Sequence, residues 1–136
     1  MSDPILLEIV TPERQVFSGK VAEVQFPTAT RGYYGILPGH TPLVTPVGDG
    51  LVTCIQGGKK VRLVVFGSFA EVGPDRVTIL AREGEAAETI DLEQVRRERA
   101  EAQRLLDGAR APEEADRART QLQACEIRIQ AAELRD

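Results

Sequence analysis

The sequence predicts a mainly β N-terminal sandwich, two antiparallel sheets of about eight to ten short strands, followed by a C-terminal antiparallel α-helical hairpin. Two observations carry this reading. All six aromatic residues, seven of the eight prolines and eleven of the twelve glycines precede residue 90, and the remainder of the chain is a tract of Ala, Glu, Arg, Gln and Leu. Charge does not divide in the same way: residues 1–90 hold ten acids and eight bases, and residues 91–136 hold eleven and nine. The boundary is therefore one of secondary structure, with a β domain over 1–88 and a helical hairpin over 89–136.

Within the β part, short β-prone runs recur at sandwich spacing: Ile5–Val10, Gln15–Ser18, Val21–Phe26, Leu43–Val47, Leu51–Gln56, Val61–Phe66, Phe69–Val72 and Val77–Ala81. Ala22, Val24 and Phe26 alternate with Glu23 and Gln25, so one face of that strand is buried and the other wet. Val61–Phe66 is almost continuously apolar, which suits a strand covered on both sides. Gly57-Gly58 supplies positive φ at both positions of a two-residue hairpin turn, and Pro74-Asp75 marks another turn.

In the α part, Asp91 is placed to cap the first helix and Gly108 to end it. Pro112 suits the first position of the second helix, with Glu113 and Glu114 where the helix dipole favours acids. Leu92, Val95, Arg99, Ala102 and Leu106 form one seam at three-four spacing. Ala115, Ala118, Leu122, Cys125, Ile129 and Ala132 form the other. Both seams are thin, because alanine buries little area and Arg99 interrupts the first. Two isolated helices of this kind are marginal, so the hairpin is expected to lean on the sandwich or on a partner.

Residues 32–43 (GYYGILPGHTPL) gather three glycines, two prolines, two tyrosines and the single histidine of the chain. They read as a stiff loop that serves either as a docking surface or as an active site. The chemistry favours docking. No serine or cysteine nucleophile sits in a recognisable elbow beside His40, so its ring is expected to bond locally and hold the loop. One histidine cannot make a multi-histidine zinc site, and the acids form no ligand cluster. Neither a Walker loop nor GxGxxG is present.

A net charge of −4 gives no basic footprint for nucleic acid. No apolar run is long enough to span a membrane, and the N-terminus lacks the regions of a signal peptide. Cys54 and Cys125 read as free thiols of a reducing, cytoplasmic compartment. The many hairpin arginines read mostly as solvated faces interspersed with acids.

The chain also resembles a known family, the epsilon subunit of bacterial F-type ATP synthases, whose mitochondrial counterpart is called delta. The residues that carry the likeness run in family order. Leu6–Gly19 (LLEIVTPERQVFSG) is similar to its first two strands, and Gly35–Leu43 (GILPGHTPL) to its GxLPGHxPL segment. Gly67–Val72 is similar to its Gly-Gly-apolar-apolar-Glu-Val strand start, with Ser68 for the second glycine, and Val77–Ala81 to its last strand.

The resemblance implies a non-catalytic rotor subunit of the central stalk, peripheral on the cytoplasmic face of the inner membrane. Its sandwich would bind the gamma subunit and rest on the c-ring, coupling ring rotation to the catalytic head. It carries Arg31, Tyr33, Tyr34, His40, Thr41, Pro42 and Leu43 into the region facing ring and gamma. The acid common in the family near Arg31 or Tyr33 is missing, since none lies between Glu23 and Asp49. The hairpin would be an arm able to inhibit ATP hydrolysis through the beta and alpha subunits, with Arg117, Arg119 and Arg128 as contacts to beta.

Some members bind ATP at an (I/L)DxxRA motif. Here Ile90 and Asp91 match as nucleotide contacts, but Gln94 and Val95 replace the arginine and alanine. The phosphate-binding charge is gone, and no cofactor is expected. Two alternatives stand beside the rotor reading: an ATP-sensing module whose hairpin closes over nucleotide, and a small β-sandwich hydrolase using His40.

Overall fold

A computed structural model describes residues 3–30 and 32–134. The strands are β1 (Ile5–Val10), β2 (Gln15–Val21), β3 (Glu23–Pro27), β4 (Tyr33–Ile36), β5 (Leu43–Val47), β6 (Gly50–Gln56), β7 (Lys59–Val72) and β8 (Arg76–Ala86). A 3-10 turn (Ala87–Thr89) leads to α1 (Leu92–Asp107) and α2 (Pro112–Glu133). The chain divides into two compact units, Met1–Ala86 and Ala87–Asp136.

The strands are linked in the order β2-β1-β8-β7-β6-β3-β4, with β5 also on β7. Two layers arise because the long strands bend and serve both. The first half of β7 pairs with β6 and its second half with β5. One layer is therefore β2-β1-β8-β7-β5, and the other is β8-β7-β6-β3-β4. Both β5 and β6 keep one register against β7: Val47 faces Ser68 and Gly50 faces Val65. Gly48 and Asp49 thus lie opposite Gly67 and Phe66, where the chain turns the corner between layers.

The corner depends on two glycines. Gly67 sits at φ +60°, and a Cβ there would lie 3.2 Å from Arg82 Cβ. Its N–H, freed from strand pairing, donates to Asp49 Oδ1 at 2.9 Å. At Gly48 a Cβ would lie 2.3 Å from the Thr28 carbonyl oxygen, so the end of β3 approaches too closely for any side chain. The Gly48 N–H donates to Pro27 O at 2.9 Å, which fastens that approach.

Alternation fills the space between the layers. Ile5, Leu7 and Ile9 of β1 are buried, as are Val24, Phe26, Val52, Cys54 and Leu63 across the other layer. Consecutive Leu63, Val64, Val65 and Phe66 are all buried, so both faces of that stretch are covered. Gly57 and Gly58 have φ of 57° and 79° and join Gln56 to Lys59, the turn that the Gly-Gly pair implies.

Several features of the sandwich differ from the sequence reading. Val61–Phe66 and Phe69–Val72 are one strand of 14 residues, because Gly67 bends the ladder without ending it. Strands β2 and β8 run past Ser18 and Ala81, to Val21 and Ala86. Strand β1 pairs with β8 in parallel, so the sheets are not wholly antiparallel. Tyr33–Ile36, read as loop, is the edge strand β4. Its alternation is hidden by the flanking Gly32 and Pro38.

In the hairpin, Asp91 accepts the Gln94 N–H at 3.2 Å and Pro112 opens α2. Gly108 closes α1 at φ −95°, so its left-handed freedom is not used. Val95, Ala102, Ala118, Cys125 and Ile129 are buried along the seams. Arg99 is exposed, and half-buried Glu98 takes the inward place, accepting Arg128 Nη1 at 3.3 Å. Arg96 and Glu133 make a second bond across the helices at 2.9 Å.

Gly67→Ala should lower stability by about 1–3 kcal/mol, because alanine must hold a left-handed backbone against Arg82. Urea denaturation of the two proteins measures the difference.

Candidate docking surfaces

The 32–43 segment divides into a strand and a loop. A tight turn precedes the strand, with the Thr28 N–H donating to Gly32 O at 3.0 Å. Among the described strands, β4 pairs only with β3 and lies at the end of the ladder. Its two tyrosines point opposite ways, as neighbours on a strand must. Tyr34 faces Phe26 across the pair and lays its ring over it, with centroids 5.7 Å apart and planes tilted by 50°. Tyr33 points outward and is 59% exposed.

The 37–42 loop is fastened at its tip. Gly39 adopts φ +82° and donates its N–H to Pro74 O at 2.7 Å, which ties the loop to the β7–β8 turn. His40 Nδ1 lies 2.6 Å from the Thr41 carbonyl; a carbonyl only accepts, so Nδ1 carries the proton. The imidazole therefore braces its own loop. Thr41 and Pro42 are exposed, whereas Leu43 packs against the core. Arg31 lies outside the described residues.

A second surface was not singled out in the sequence. Pro46 faces Phe69, Phe69 faces Leu80, and Leu80 faces Val10. Cross-strand partners share a face, so these residues form an apolar row over β5, β7, β8 and β1. Neighbouring strands lie about 4.8 Å apart, which makes the row about 14 Å wide. Phe69 is 42% exposed, and Val44 beside Pro46 is 72% exposed. Glu71, Thr78 and the Glu8–Arg76 ion pair border the row. The signal was present in Leu43–Val47: Leu43 and Val47 face inward, yet outward-facing Val44 and Pro46 are apolar too.

No reactive group is assembled among the described residues. Burial pushes the Cys54 thiol up to about 11, and burial first, then the Glu98 carboxylate, raises Cys125, so both stay protonated and inert at neutral pH. Among the described residues no group of three or more His, Cys, Asp or Glu could hold a metal ion. No helix among them is long and apolar enough to cross a membrane. Ile90 is buried, and the Asp91 carboxylate is occupied as the α1 cap. Arg119 bonds Asp116 at 2.9 Å, Arg128 bonds Glu98, and Arg117 is exposed.

A sandwich with exposed apolar and aromatic surfaces, followed by a helical hairpin, has the features of a protein that binds other proteins. Residues 5–87 match the family described as ATP synthase, Delta/Epsilon chain, beta-sandwich domain. An ATP synthase epsilon chain of Moorella thermoacetica is 42% identical, over 93% of this chain and 94% of the relative. One from Myxococcus xanthus is 37% identical, over 96% and 92%. Among solved structures, a chain of the Euglena gracilis mitochondrial ATP synthase, in a structure of OSCP, F1 and c-ring, superposes with a TM-score of 0.79. It is 25% identical, over 93% of this chain and 80% of that one. The chain belongs to the delta/epsilon family of ATP synthase subunits.

Tyr34→Ala should lower stability by about 1–2 kcal/mol, because the ring covers Phe26 at the sheet edge. Tyr33→Ala should change it by less than about 0.5 kcal/mol. Denaturation midpoints of the two variants test the division of labour.

Proposed function

We propose that this chain is a rotor subunit of the central stalk, coupling c-ring rotation to the catalytic head from the cytoplasmic face of the membrane. The observation that carries this is the apolar row of Pro46, Phe69, Leu80 and Val10, with Val44 beside it, on a cross-braced sandwich. An exposed row of this kind on a sheet face marks a protein partner, and we assign it to gamma. The edge strand β4 and the 37–42 loop, held by Pro74 and by the His40–Thr41 bond, are assigned to the c-ring. Pre-shaped segments dock with little loss of entropy, and a stiff sandwich transmits torque.

The hairpin, on this reading, is an arm that limits ATP hydrolysis, with Arg117, Arg119 and Arg128 meeting the beta subunit and with alpha alongside. Two features support an arm able to open. Its cross-helix ion pairs are partly exposed and worth about 0–1 kcal/mol each. Alanines fill much of its seam. On this reading Ile90 and Asp91 serve the entry to α1 and are not assigned to a nucleotide.

Phe69→Asp together with Val44→Asp should leave the fold intact and abolish cofractionation with gamma from solubilised membranes. Retained cofractionation removes the row from the interface, and a native chain that never travels with gamma and c subunits sinks the assignment. Deleting residues 90–136 should raise membrane ATP hydrolysis while leaving synthesis unchanged; equal hydrolysis means the hairpin is not inhibitory.

A further inference from the structure

The hairpin carries a run of side-chain bonds that begins at its entry and ends on the second helix. Asp91 caps α1 and accepts the Gln94 N–H at 3.2 Å. The Gln94 side-chain amide donates to Glu98 Oε1, one turn further on, at 3.3 Å. The other oxygen of that carboxylate, Oε2, accepts Arg128 Nη1 from α2 at 3.3 Å. Glu98 is thus held from both sides, and Gln94 stands where the (I/L)DxxRA motif has its arginine. The pair is more sheltered than its neighbour. The Arg128 and Glu98 side chains are 25% and 37% exposed, against 48% and 51% for Arg96 and Glu133. Buried Cys125 lies one turn before Arg128 on α2, and the charges of Glu98 and Arg128 both act on its thiol. The bond therefore closes beside the buried seam.

We propose that Gln94, Glu98 and Arg128 are a latch that holds the two helices together and masks Arg128 until they part. The proposal rests on the reading of the hairpin as an inhibitory arm and names how that arm is regulated. Arg128 is one of the arginines assigned to beta, yet in the closed hairpin its guanidinium is engaged by Glu98. To reach carboxylates on beta it must leave Glu98, so inhibition exchanges one ion pair for another. A partly exposed pair adds little net stability, which keeps the exchange near balance and lets a partner tip it. The other two arginines carry no such restraint across the helices. Arg119 bonds Asp116 within α2, and Arg117 is exposed. Gln94 acts through Glu98 as a positioning residue: its neutral amide supports the carboxylate, whereas an arginine there would compete with Arg128 for it.

The test uses the full chain, with Cys125 as its own reporter. Cys125 and Cys54 are both buried, so a thiol reagent reaches Cys125 when the hairpin opens, and Cys54 reports on the sandwich. Glu98→Gln and Arg128→Gln should each speed Cys125 labelling about two- to fivefold and leave Cys54 unchanged. The double variant should label no faster than the single ones, since both remove the same bond. Gln94→Ala should speed labelling in the native background and have no effect in Glu98→Gln. Equal rates in the native chain and both single variants, or effects that multiply in the double variant, overturn the latch. Chains rebound to ATP synthase membranes depleted of them then separate the latch from the arm. Glu98→Gln, which unmasks Arg128, should lower ATP hydrolysis about twofold or more. Arg128→Gln, which opens the hairpin without supplying the contact, should not lower it. A fall of equal size with both variants overturns the masking of Arg128. So does no fall with Glu98→Gln in membranes where deleting residues 90–136 raises hydrolysis. Hydrolysis indifferent to both variants and to the deletion overturns the inhibitory-arm reading instead.

Discussion

The corner formed by Gly48, Asp49 and Gly67 is the constraint on which the rest of the sandwich depends. One strand, β7, must pair with β6 on one side of it and β5 on the other without losing register. That requires a residue with positive φ, a close backbone approach, and a substitute acceptor for the N–H that leaves the ladder. Gly67, Gly48 and Asp49 supply these in turn. The same corner orients both exposed surfaces. Phe69 lies two residues past Gly67 and so falls on the outer face of the β5 layer. The Thr28 carbonyl pressed against Gly48 fixes the end of the β3–β4 hairpin that carries Tyr33. A shift at the corner would move both surfaces together, a property that supports the proposed coupling role.

The hairpin is held differently. The sandwich core interlocks large side chains such as Phe26, Ile9 and Ile79, all fully buried. The hairpin closes on Ala102, Ala118 and Cys125, where each contact removes little apolar area. Its polar contacts across the helices, Arg96–Glu133 and Glu98–Arg128, are partly solvated and add little. Two modules of such different cohesion in one chain suit a division between a fixed body and an adjustable arm.

The sandwich class, the hairpin, its Asp91 and Pro112 signals and the Gly-Gly turn were legible because each rests on local chemistry. Alternation, capping and turn residues act over a few positions. The continuity of β7 was not legible, since a glycine inside a strand reads as a break until its cross-strand neighbours are known. Strand β4 was hidden for a related reason: half of its outward face is Gly35, and its inward pair, Tyr34 and Ile36, gains meaning only opposite Phe26 and Val24. For the surfaces, the loop was found through its unusual composition. The apolar row was missed because its members come from four separate strands. Arg99 was placed in the seam by spacing alone, but Glu98, one position earlier, has a cross-helix partner in Arg128.

The distribution of charge gives a last link between fold and function. Several acids of the sandwich are spent inside it. Asp49 receives the Gly67 N–H, Asp3 receives the Gly57 N–H at 2.9 Å, and Glu8 pairs with Arg76. Arg14 likewise donates to the Gly84 carbonyl at 3.1 Å. Asp49, Asp3 and Arg14 each satisfy a backbone group at a bend or turn, and Glu8 ties β1 to β8 through Arg76. The apolar row and the aromatic edge are built from other residues than these. Asp3, Glu8 and Asp49 are therefore better understood as fasteners of the β body than as its means of recognition.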